Sequence, residues 1–223
     1  MSAEPRRLPA WPVAAAGPLH GVDEDEAARG GSPAVARAVA DLLDALGLDR
    51  AGDGLRDTPW RVARMLGEFL SPAPFRPTTF PSDGYDGLVA VRDIAFSSLC
   101  EHHLLPFFGV AHVGYVPHDR IIGLSKLPRA VEHRSRRLQV QERLTGEIAD
   151  WLERELAPRG VGVVLEATHL CMTIRGVRQP AAVTRTSSLS GVLRSDPRVR
   201  QEFLELVGAR SAHQDGGGRH EPI

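Results

Sequence analysis

Residues 160–173 read Gly160-Val161-Gly162-Val163-Val164-Leu165-Glu166-Ala167-Thr168-His169-Leu170-Cys171-Met172-Thr173. Valines and other apolar residues fill the first half, the composition of a strand buried against a core. The whole stretch is expected to be extended. His169 and Cys171 stand two apart, so on an extended chain both side chains leave the same face. Working outward, residues 88–96, 110–116 and 182–189 read as three more strands. Between them, Ser125 opens a short helical segment. Residues 140–156 form a longer helix, with Leu144, Ile148, Trp151 and Leu152 toward a core. Asp196 and Pro197 start a last helix through Phe203, Leu204 and Val207. Runs of strands with helices between pairs give an α+β fold, an antiparallel sheet with helices on one face.

Upstream of the strands the pattern is helical. Ser32 caps a helix with Pro33 at its first position. Val35, Val39, Leu42, Leu43 and Leu46 share one face, and Gly47 ends it. Thr58 and Pro59 repeat the start signal before Val62, Met65, Leu66 and Phe69. The domain is therefore expected over 32–210, with a helical segment at 32–86 and the sheet core at 87–210. Residues 1–31 and 211–223 read as disordered tails that bury too little to offset the entropy of ordering them. Arg6 and Arg7 mimic the basic start of a secretory signal, but Pro9, Pro12 and Pro18 break up the stretch where its apolar region would lie. A cytoplasmic protein is expected.

The chain has 223 residues and a formal net charge of −1, with 42% hydrophobic and 25% charged residues. That balance lacks the basic excess of a nucleic-acid binder, and no apolar run approaches the length of a membrane span. Two cysteines, Cys100 and Cys171, exclude a disulfide framework and leave either one bridge or a shared metal.

The chemistry concentrates around those cysteines. Cys100-Glu101-His102-His103 sets Cys100 and His103 in Cys-x-x-His spacing, which lets one tight turn aim two ligands at a common ion. His169 and Cys171 form a second pair. Two thiolates with imidazole suit zinc, and three ligands of four would leave an open position. A closed structural zinc site and two unrelated buried thiols are the alternatives. Lys126 and Arg129 share a helical face, and Ser125 can cap that turn so that its N–H groups face an anion. Arg61 and Arg64 make a second basic pair. A solvated basic surface is the alternative for each pair, more so for Arg61 and Arg64, since exposed arginines are common on amphipathic helices. Arg175, four past Cys171, joins the ligand side if strand alternation holds. Glu142 sits where a helix dipole favours a carboxylate.

Taken together, these segments resemble GTP cyclohydrolase I of the zinc-dependent type, a tunnelling-fold family. The resemblance rests on 98–103 (Ser-Leu-Cys-Glu-His-His), 123–127 (Gly-Leu-Ser-Lys-Leu), 137–145 (Arg-Leu-Gln-Val-Gln-Glu-Arg-Leu-Thr), 166–172 and 175–177, with 57–63 upstream. It covers about residues 33 to 210. It implies an antiparallel sheet carrying two helices, and a homodecamer of two stacked pentamers with active sites between subunits. It implies one zinc per subunit on Cys100, His103 and Cys171, acid–base work by His102 and His169, and a place for Ser125 in the ribose-triphosphate pocket, where it is expected to assist catalysis at the sugar. Gln141 and Glu142 would recognise guanine. Lys126, Arg129 and Arg175, with Arg61 and Arg64 from a neighbouring subunit, would hold the triphosphate. The implied reaction opens the imidazole ring of GTP, releases formate and yields 7,8-dihydroneopterin triphosphate, the first step of folate and pterin synthesis. The sequence departs from the family at Arg64, where lysine is frequent, and at Ala182, where a serine usually precedes two threonines, here Thr184 and Thr186. It departs again at His133-Arg134, which replaces a more apolar pair. Two rivals stand beside this reading: another tunnelling-fold enzyme acting on a pterin or deazaguanine, and a non-catalytic zinc or nucleotide-binding protein.

Overall fold

The computed structural model describes residues 31–208. The expected tails, Gly31 apart, lie outside the described residues, as do residues 209–210. The described chain divides into two compact units, one ending at Ser71 and one starting at Pro72.

The first unit holds α1 (Pro33–Ala45) and α2 (Thr58–Leu70). Ser32 takes the N-cap position of α1 but makes no side-chain cap bond. The far end is closed by Gly47, whose φ of +73° only glycine adopts without strain. There the Gly47 N–H donates to Asp44 O and the Leu48 N–H to Leu43 O, satisfying two end carbonyls. Asp57, one residue earlier than expected, takes the N-cap position of α2. Ala36 and Ala63 are buried in this unit, while Leu42 and Leu46 stay exposed. The expected apolar stripe of α1 is thus only partly covered.

The second unit holds β1 (Thr79–Pro81), β2 (Val89–Cys100), β3 (Pro106–Val116), β4 (Arg120–Ile122), α3 (Lys126–Ser135), β5 (Leu138–Gln139) and α4 (Gln141–Leu156). It continues through β6 (Gly160–His169), α5 (Leu170–Thr173), β7 (Thr184–Leu189), α6 (Gly191–Ser195) and α7 (Pro197–Gly208). The main sheet has the order β5-β2-β3-β6-β7, antiparallel except where β5 joins β2 in parallel. Strands β1 and β4 form a separate antiparallel pair.

Strand alternation sorts the core. Val161, Val163, Leu165 and Ala167 pack with Leu127, Val131, Leu144, Ile148 and Leu152 of α3 and α4. These are the two helices expected on one face. Val164 points the other way and packs with Val116, Leu193, Phe203 and Val207. The C-terminal helices therefore cover the opposite face at one end. Gly162 makes that possible, because a Cβ there would sit 2.7 Å from Phe203 Cε1.

Residues 160–173 are not one strand. Extension stops at His169, and Leu170–Thr173 is a single helical turn. The partner strand explains the stop. Phe107 pairs with His169, and β3 begins at Pro106, which has no N–H to offer. Beyond His169 the backbone turns on itself, with Ile174 N–H donating to Leu170 O at 3.2 Å and Thr173 Oγ1 to His169 O at 3.0 Å.

The polar pair at 133–134 is absorbed by packing. The His133 ring lies edge-on to Phe75, with Nδ1 3.0 Å from Ala73 O. The Arg134 guanidinium lies over Trp151, 5.1 Å from the ring centroid, and Nε donates to Glu147 O. Burial pulls the Arg134 pKa down to about 10.

Candidate active site

Cys100 ends β2 and is held from both sides. Its N–H donates to Leu105 O at 2.9 Å, and it is paired with Gln139 of β5. The chain then reverses within four residues. His103 and Leu104 N–H both donate back to Cys100 O, at 3.3 and 2.9 Å. The reversal puts Leu104 at a φ of +54°, a left-handed conformation costing a non-glycine residue about 1–2 kcal/mol. The turn leaves Cys100 Sγ 3.7 Å from His103 Nδ1 and 3.8 Å from His102 Nδ1.

The α5 turn brings Cys171 to the same place. One ligand atom each from Cys100, His103 and Cys171 lies within 4.8 Å of the other two. A tetrahedral zinc would place two sulfurs about 3.8 Å apart and sulfur and nitrogen about 3.5 Å apart, from Zn–S and Zn–N lengths of about 2.3 and 2.0 Å. The donor set and its spacing fit such an ion. Neither cysteine is in a disulfide. Burial pushes the Cys171 thiol up, and the nearby Cys100 adds to the rise, while Arg175 opposes it. A bound cation would offset that cost of ionising Cys171. Arg175 is thus near Cys171 in charge, but not through strand alternation, since that segment is helical.

His102 is exposed beside the cluster, its Nε2 4.0 Å from Glu101 Oε1. His169 ends β6, half-buried. Its ring is stacked on Phe107 at 4.6 Å and 2°. Burial lowers its pKa, and the Glu142 carboxylate partly restores it. His169 Nε2 lies 2.8 Å from Oε1 of Gln141, which is 1% exposed. The Gln141 Nε2 faces Leu165 O, Thr184 O and Thr186 Oγ1 at 3.2, 3.0 and 3.1 Å. Glu142, next along α4, is exposed in its first turn.

The anion-binding turn differs from expectation. Ser125 is helical, with φ −63° and ψ −14°, and makes no cap bond. The Lys126 and Leu127 N–H groups are already bonded to Gly123 O and Leu124 O. Lys126 and Arg129 lie on the first turns of α3, and Arg129 lines a cavity with Phe75, Glu132 and His133. Among the described residues, no hydrogen bond or ion pair joins Ser125, Lys126 or Arg129 to the Cys100 cluster. In the first unit, Arg61 and Arg64 line a cavity with Asp57 and Trp60, and Arg61 pairs with Asp57 at 3.9 Å.

Sequence reasoning missed a clamp beneath the cluster. Arg143 is ion-paired to Glu101, donates from Nε to Gln139 Oε1 at 2.8 Å and reaches Leu138 O at 3.0 Å. The Glu101 N–H donates to Gln139 O at 3.0 Å. The metal turn is thereby tied to the start of α4. The four-residue spacing of Gln139 and Arg143 was a signal for half of it. The partner 42 positions away was not readable.

The sequence model of one protein family, described as GTP cyclohydrolase I, matches residues 35–208. The GTP cyclohydrolase 1 of Sulfurihydrogenibium sp. (strain YO3AOP1) is 53% identical over 78% of this chain and 94% of its own. That of Aquifex aeolicus (strain VF5) is 53% identical over 78% and 95%. That of Synechococcus sp. (strain JA-3-3Ab) is 49% identical over 82% of each chain. Matches this long, reaching both the two-helix unit and the sheet unit, place the chain in the GTP cyclohydrolase I family.

Proposed function

We propose that this protein hydrolyses GTP at the imidazole ring, releasing formate and forming 7,8-dihydroneopterin triphosphate. The convergence of Cys100, His103 and Cys171 beside His102 and His169 carries the proposal. These three residues would hold zinc, one ion per subunit. Zinc there would supply Lewis acidity that lowers the pKa of water toward about 7.

The remaining work falls to the chain's own groups. His102, next to a ligand and open to solvent, hands a proton to N7 as C8 takes up water. His169 shuttles protons while the ribose opens, rearranges and recloses, with Ser125 assisting at the sugar. The exposed Glu142 carboxylate accepts hydrogen bonds from guanine N1–H and its 2-amino group. Lys126, Arg129 and Arg175 hold the triphosphate as charge-assisted donors, joined by Arg61 and Arg64 of a neighbouring subunit. No phosphate bond is broken, so the basic groups serve only to anchor.

We further propose a homodecamer of two pentamers. In support, β7 is an edge strand of the main sheet, which neighbouring copies can extend. Leu104, Phe108, Met172, Ile174, Val177 and Val183 are also exposed apolar side chains that contacts between copies would cover. Reduced thiol ligands fit a cytoplasmic setting. Among the described residues, no helix is long and apolar enough to cross a membrane.

The test incubates zinc-loaded protein with GTP and follows formate and pterin fluorescence. Both products are expected in equal amounts. Full zinc occupancy without formate would overturn the proposal in favour of a binding protein.

A further inference from the structure

We infer that Gln141 is a positioning residue that locks His169 into one tautomer, with the proton on Nε2 and the free lone pair on Nδ1. This rests on the acid–base role of His169 proposed above.

The donors and acceptors around Gln141 admit one arrangement. The two ends of an amide are told apart by their partners. One end of Gln141 faces the carbonyl oxygens of Leu165 and Thr184. Carbonyl oxygens only accept, so that end must be the NH2 group, with its two N–H donors. Thr186 Oγ1 lies at the same end, 3.1 Å away. Thr145 Oγ1 donates to Gln141 O at 2.7 Å and lies 2.7 Å from Thr186 Oγ1. Its single proton is therefore taken, so Thr186 donates to Thr145 and keeps a lone pair toward Gln141. All three neighbours at that end accept. Turning the amide over would set Oε1 against two carbonyl oxygens inside a buried site, leaving a polar group unpaired.

The amide oxygen is thus committed to His169. An amide oxygen cannot donate, so His169 Nε2 must carry the hydrogen across the 2.8 Å contact. In a neutral imidazole that leaves Nδ1 as the basic atom. The Phe107 ring, stacked flat on the imidazole, stops it from rotating out of this bond. Edge and face are both fixed. His169 then enters each turnover as a proton acceptor at Nδ1, and Gln141 still accepts from Nε2 after the proton arrives.

This assignment also moves Gln141 out of guanine recognition. Reaching the base would strip His169, Leu165 and Thr184 of partners together. The base-binding side chain at the start of α4 is then Glu142.

Two measurements test this on the full-length, zinc-loaded protein. In the first, Gln141→Met and Gln141→Asn are assayed for GTP turnover. The expected loss is about 10²-fold in kcat, within the range for misplaced acid–base groups, with KM changed by less than about threefold. A KM raised tenfold or more with kcat retained would overturn the inference and make Gln141 a base-binding residue. In the second, 15N spectra are recorded on histidine-labelled protein, with His169 assigned by its loss in His169→Asn. The expected signature is a pyrrole-type Nε2 and a pyridine-type Nδ1. The reverse pattern overturns the inference even if the Gln141 variants fail to fold. If the unaltered protein makes no formate, the functional proposal fails, while the spectrum still decides the tautomer.

Discussion

Replacing Arg143 by Met removes the clamp between the metal turn and α4, and the cost can be worked from its contacts. Gln139 is fully buried, so losing the Nε donor leaves its Oε1 unsatisfied, at about 1–3 kcal/mol. The bond to Leu138 O adds about 1 kcal/mol. The Glu101 ion pair is about a third exposed and adds only ~0.5 kcal/mol. Together these come to about 3 kcal/mol, which for a chain of this size lowers Tm by about 6–12 °C. Arg143→Lys keeps the charge but not the planar fork and should recover less than half. The assay is a thermal scan of zinc-loaded protein beside a chelator-competition measurement of zinc affinity. Both should fall, because Glu101 lies between Cys100 and His102. A Tm shift below about 2 °C with unchanged zinc affinity would refute the clamp.

His103→Ala should abolish zinc binding, whereas His102→Ala should keep zinc and lose formate release; metal analysis and a formate assay separate the two. Gly109→Ala puts a Cβ 1.9 Å from Glu166 O and 2.7 Å from Ala167 Cα, which wedges β3 from β6. Loss of zinc along with a sharply lower melting temperature is expected, and a normal zinc content would count against it. His112 accepts a hydrogen bond from the Asp93 N–H, and burial lowers its pKa, with Asp93 and Glu166 opposing and Arg185 and Arg92 assisting. The unfolded chain therefore takes up this proton more readily. The stability is complete above the unfolded value of about 6.5 and is lost as pH falls through it toward the lower folded value. Asn can accept the same N–H without titrating, so Tm should fall less between pH 7 and 5 in His112→Asn than in the unaltered protein. Parallel curves would reject a role for His112.

The apolar filling of residues 161–165 was enough to find strand β6. It was not enough to end that strand. The stop at His169 comes from Pro106 on the neighbouring strand, and a proline 63 positions away leaves no mark on local periodicity. The short strands β1, β4 and β5 and the five-residue α6 escaped because two to five residues carry too little of a period to read. At the site, Cys100 with His103 and His169 with Cys171 were legible as pairs because each spans four residues or fewer. Cys171 was placed with the right partners through the wrong backbone, a helical turn standing where extension was expected. The Gln141–His169 contact was hidden. It depends on the register of β6 with β7, which sets Leu165 opposite Thr186 and Ala167 opposite Thr184.

The donors of the Cys100 cluster come from a hairpin turn and from a helical turn about seventy positions later, which meet only once β3 has paired with β6. An unfolded chain offers no such meeting point. An ion held there therefore favours the folded chain alone, and by mass action its free concentration enters the folding equilibrium. At one hundred times its dissociation constant it contributes about 2.7 kcal/mol. The lifetime of this protein in a cell would then follow the supply of metal, independently of any turnover.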